Sequence, residues 1–170
     1  FAASTITSVH LDEKAQVIVD AAARNELSTM ADLLESSAVP LSVRVEPSEL
    51  AAIAKADAEG TALVSRLDAA LRSHQLISAP AYPLDPSVAN AASQGDLYTQ
   101  WLRDGEDVLA SSVDTSPTRT IALVSTPLSR GGAGLLRELG VRLLVLTPAE
   151  LSSISAAGSA DLDTTQLIQL

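Results

Sequence analysis

The chain has 170 residues, 46% of them apolar, which is enough for a packed core that buries roughly 70% of the unfolded surface. Its net charge of −10 repels phosphate backbones, and no cluster of basic residues with interleaved aromatics offsets it, so nucleic acid is excluded as a partner. The absence of cysteine removes disulfides, thiolate nucleophiles and cysteine-based zinc sites.

The first long segment, "LDEKAQVIVDAAARNELSTMADLLESS" (11–37), has the Ala, Leu and Glu content of a helix. Pro40 then opens the β-rich "LSVRVE" (41–46), and the turn "EPSEL" leads into another helical stretch. In "ADAEGTALVSRLDAALRSH" (56–74), Leu63, Leu67, Ala70 and Leu71 share one helical face, and "QLISAP" (75–80) follows as a strand. "DLYTQWLRDGEDVLASS" (96–112) reads as a helix weakened at Gly105, and "TRTIALVS" (118–125) as the next strand. "GAGLLRELG" (132–140) is a helix closed by Gly140, running into the strand "VRLLVLT" (141–147). The final "TTQLIQL" (164–170) reads as one more strand, and "LSSISAAGSADLD" (151–163) has linker composition.

Strands separated by helices cannot pair as hairpins, so the expected fold is α/β, one mainly parallel sheet with helical crossovers. A doubly wound sheet and part of a (β/α) barrel fit the order equally. The chain reads as a single α/β domain over 1–170. Its start on Phe1 and its apolar end suggest a fragment of a longer chain. The initial "FAASTITSVH" lacks the basic start and apolar middle of a signal peptide.

Two turns repeat an acid–Pro–Ser pattern: "VEPS" around Glu46 and "LDPS" around Asp85. Asp is a good helix N-cap and Pro is favoured at the first helical position, so capping explains the recurrence, less well for Glu46 because Glu caps poorly. "TPAEL" (147–151) repeats this grammar as a capping box, with Thr147 as cap and Glu150 at the third helical position. The functional alternative rests on position, because loops after parallel strands build active sites. On that reading Glu46 and Asp85 are candidate catalytic carboxylates, and Tyr82, Thr126, Arg130 and Thr147 are candidate ligand contacts, with Ser125 on the same rim. "STPLSRGGAGLL" (125–136) is either a tight turn or an anion cradle at a helix N-terminus beside Arg130.

No metal or cofactor is expected. His10 and His74 have no partner at ligand spacing, and His74, placed before its strand, belongs to the opposite rim from Glu46. Tyr98 and Trp101, three apart on one helix, read as packing residues.

"PLSVRVEPSELAAIA" (40–54), "SAPAYPLDPSVANAASQGDLYTQWLRDGEDVL" (78–109) and "RTIALVSTPLSRGGAGLLRELGVRLLVLT" (119–147) carry a resemblance over roughly residues 26–150. In the order of their strand–acid–Pro turns they resemble large actinobacterial envelope proteins of unknown function, encoded beside the lipid II flippase of peptidoglycan synthesis. The resemblance implies an extracytoplasmic fragment whose signal and C-terminal membrane anchor lie outside these residues. That region of the family is similar to polysaccharide deacetylase and glycoside hydrolase (β/α) barrels. A deacetylase needs an Asp pair and two histidines for its metal. Here the corresponding turns, "VEPS" and "YPLDPS", hold one acid each and no histidine, which argues for the fold and against that activity. The resulting expectation is a non-catalytic interaction or glycan-recognition domain, an incomplete barrel linked to cell-wall biogenesis, with wall glycan or envelope proteins as partners. The alternative is a metal-independent glycoside hydrolase using Glu46 and Asp85.

Overall fold

The computed structural model describes residues 2–4, 19–146 and 168–169. The elements in chain order are β1 (Ala2–Ser4), α1 (Ala21–Ser36), β2 (Ser42–Arg44), α2 (Pro47–Ala56), α3 (Ala58–Leu71), β3 (Gln75–Ile77), α4 (Pro86–Ala91), α5 (Gly95–Ser112), β4 (Ile121–Val124), α6 (Arg130–Glu138), β5 (Leu143–Leu146) and β6 (Ile168–Gln169). They divide into two compact units, one of Phe1–Pro83 with Gln100–Thr118, the other of Leu84–Thr99 with Arg119–Leu170.

In the first unit β1, β2 and β3 form a parallel sheet in that order, with Ala3, Val43 and Leu76 side by side. Val43 and Leu76 are fully buried, as a sheet covered by helical crossovers requires. Thr118 adds a single parallel bridge beside Ile77: its N–H donates to the Leu76 carbonyl, and its own carbonyl accepts from Ser78 N–H. Over the sheet, α1 buries Ala23, Leu27, Met30, Ala31 and Leu34, a stripe at helical spacing. α3 buries Val64, Leu67 and Leu71, while Leu63 and Ala70 pack against the same core partly exposed, so the buried face lies close to the expected one. Leu50 and Ile53 of α2, with Leu109 and Val113, complete the cluster.

α5 buries Tyr98, Leu102, Gly105 and Leu109, again at helical spacing. Gly105 is a contact point on this stripe. A Cβ there would fall 2.1 Å from the Ala79 carbonyl oxygen and 2.7 Å from Ala81 N, so only glycine lets the 79–81 backbone lie directly on the helix. Its role is close approach, in place of the helix weakening that composition suggests.

In the second unit β4 and β5 are parallel, from Ile121 beside Leu143 to Val124 beside Leu146, and β6 adds antiparallel to β5. α6 ends in a Schellman motif: Gly140, at φ +99°, donates to the Arg137 carbonyl and Val141 to that of Leu136, and Leu136 and Val141 are both buried. The α/β class with parallel strands and helical crossovers therefore holds. The expectation of one sheet does not: among the described residues the strands form two three-stranded sheets, one in each unit.

Candidate functional site

In the first unit, β2 and β3 are parallel neighbours, so segments 45–49 and 78–83 leave the same edge of the sheet. Glu46 sits at the N-cap of α2 but makes no capping bond through its side chain. Residues two apart on an extended chain share a face, and Glu46 Oε1 accepts instead from Arg44 Nη2 at 2.7 Å. Both Glu46 and Glu49 are 6% exposed. The N-terminus of α2 favours a negative charge at Glu49. Burial outweighs it and, with repulsion from Glu26, Glu46 and Asp20, pushes the Glu49 carboxyl up to about 7. Sequence reasoning missed Glu49, whose burial comes from tertiary packing and has no local sequence signal.

On the neighbouring segment Tyr82 is 44% exposed, and its ring meets Trp101 edge-on, centroids 5.6 Å apart. The Trp101 carbonyl accepts from Ala81 N–H at 2.7 Å, and Gly105, one turn further along α5, brings the 79–81 backbone down onto the helix. An exposed ring is thus held on a fixed mount. Tyr98 is buried, while Trp101 is half-buried and carries Tyr82.

At the opposite end of this sheet His74 Nδ1 accepts from Leu41 N–H, which fixes Nε2 as the donor to the Leu34 carbonyl, each at 3.0 Å. The ring therefore staples the end of α1 to the start of β2 and β3.

In the second unit Asp85 is the N-cap of α4. Its Oδ1 accepts from Ser87 N–H at 2.7 Å and Val88 N–H at 3.1 Å, and its Oδ2 from the Thr126 hydroxyl. Burial opposes its ionisation, but these donors outweigh burial and hold the carboxyl below its usual range. Ser87 Oγ accepts from Ser129 N–H, and Ser129 caps α6 by accepting from Gly132 N–H. A Cβ on Gly131 would strike the Asn90 side chain at 2.0 Å, and one on Gly132 the Ser87 backbone nitrogen at 2.8 Å. The glycine pair therefore serves the approach of α4 to α6. At the α6 N-terminus the amides of Ser129 and Gly132 are already bonded within the unit. Arg130 and Thr126 are exposed.

Thus Asp85 and Thr126 meet in the second unit, whereas Glu46 and Tyr82 belong to the first; Thr147, the 147–151 capping box and His10 lie outside the described residues. Two hollows contain none of the candidates: one of about 260 Å³ among Ala54, Lys55, Thr61, Val64 and Ser112, and one of about 450 Å³ among Asn90, Asp96, Thr99, Gly134 and Glu138. Among the described residues, no group of three His, Cys, Asp or Glu side chains could hold a metal ion, and no helix is long and apolar enough to cross a membrane. No family model, no curated protein and no solved structure matches the chain.

Proposed function

We propose that the chain is a glycan-recognition or interaction domain of an extracytoplasmic envelope protein, an incomplete (β/α) barrel that acts in cell-wall biogenesis without catalysis. The observation that carries this reading is the exposed Tyr82, mounted on Trp101 and Gly105 at the carboxyl edge of β3. A sugar ring offers C–H groups to an aromatic face and hydroxyls to charged groups, and a fixed ring binds without an ordering cost. The resemblance to actinobacterial envelope proteins supports the setting, with a membrane anchor outside these residues. Parallel strands joined through helices support the barrel-like architecture. Calorimetric titration with soluble peptidoglycan fragments tests the reading: Tyr82→Ala should weaken binding by up to about tenfold, the loss of one stacking contact, with unchanged thermal stability. Equal affinity of both proteins would overturn it.

A metal-independent glycoside hydrolase is the second reading, favoured by the contrast between Glu46 beside Arg44 and the raised Glu49. On this reading Glu49 takes the acid role in place of Asp85, whose oxygens already accept three hydrogen bonds. New reducing ends released from the same fragments, and lost in Glu49→Gln, would support it.

A further inference from the structure

Two glutamates stand one turn apart at the start of α2, each more than nine-tenths buried. Arg44 supplies Glu46 with a cation at 2.7 Å. Beside burial, the charges that push the Glu49 carboxyl up are Glu26 from α1, Asp20 at the cap of α1, and Glu46 from its own turn, with the Arg44 cation held on Glu46. Ionising Glu49 therefore places a buried negative charge one turn from the ion-paired Glu46 and next to Leu50 and Ile53, which are 1% and 0% exposed.

We propose that Glu49 is a proton-operated lock on the first unit: neutral, it lets the first turn of α2 stay seated with Leu50 in the core, and ionised, it drives that turn toward water. The turn directly follows β2, so opening it displaces Glu46 and loosens the carboxyl edge of the sheet. The sign follows from linkage. A carboxyl raised from its ordinary value of 4.5 to about 7 in the folded state contributes stability that is fully present below 4.5 and is lost as pH rises through about 7. The lock thus holds in mildly acidic surroundings and releases above neutrality.

Unfolding by urea at pH 5 and pH 8 tests this in wild type and in Glu49→Gln, whose neutral amide imitates the protonated acid. The unfolding constant of the wild type should rise by up to about a hundredfold more than that of the variant over this interval. Identical pH dependence in the two proteins would overturn the proposal. Carboxyl carbon-13 titration of the folded wild type gives a readout that does not depend on the variant folding. A Glu49 midpoint near neutrality, moving down in Glu46→Gln, supports the lock, and a midpoint in the ordinary glutamate range refutes it.

Discussion

Glu46 and Asp85 stand in nearly the same local sequence, acid–Pro–Ser, and do different work. The aspartate is short enough to reach the amides two and three residues on, so it caps α4. Glu46 is one methylene longer and has Arg44 two residues behind it on the same face, so it makes an ion pair instead. Asp85→Ala should therefore cost about 0.5–2 kcal/mol in urea unfolding. Asp85→Asn should be nearly silent at neutral pH, since its carbonyl can cap and the Thr126 hydroxyl can turn from donor to acceptor. Because the Asp85 carboxyl is lowered in the folded state, its contribution is present above the ordinary aspartate range and lost as pH falls through the lowered value; Asp85→Asn removes that acid limb. Removing the His74 ring strands Leu41 N–H, and His74→Ala should cost about 1–3 kcal/mol by the same measurement. The Asp85 cap was legible because Asp-Pro is a local signal. The burial of Glu49 was not, since it depends on what α1 brings beside it.

At the scale of elements, periodicity was a good guide wherever one face meets one core. The stripes of α1 and α3 follow helical spacing, and the strand starts at 42, 75 and 143 lie within two residues of those expected. Glycines were harder to read, because a glycine that closes a helix, one that admits a neighbour and one that does neither look alike in a sequence. Gly140 was legible from its place after the helix. Gly105 and Gly132 were not, because what they admit comes from segments distant in the chain. Gly105→Ala should destabilise by about 1–3 kcal/mol or more, since backbone atoms cannot step aside. Gly134, inside α6 with open space where a Cβ would stand, behaves in the opposite way: Gly134→Ala should stabilise by about 0.5–1 kcal/mol. Thermal unfolding of the pair checks both signs at once.

For the whole molecule, alternating helical and extended segments indicated the parallel pairing of β1 with β2, β2 with β3 and β4 with β5, because a hairpin needs adjacent strands, but not the antiparallel β6. They were not sufficient to count the sheets. Thr118 bridges to β3 while Ile121–Val124, three residues later, pairs with β5, and no local signal marks where one strand-like run changes partners. The candidate rim divides accordingly, with Glu46 and Tyr82 in one unit and Asp85, Thr126 and Arg130 in the other. The proposed recognition lies in the first unit because, among the described candidates, Tyr82 combines exposure with a packed support. Trp101, the single tryptophan of the chain, is part of that support and reports on it without labelling. The most direct test is Trp101 fluorescence during titration with soluble peptidoglycan fragments. A saturable change that disappears in Tyr82→Ala, with the variant folded, is the result expected for glycan recognition at this edge. A flat titration, or a change that survives Tyr82→Ala undiminished, would contradict it.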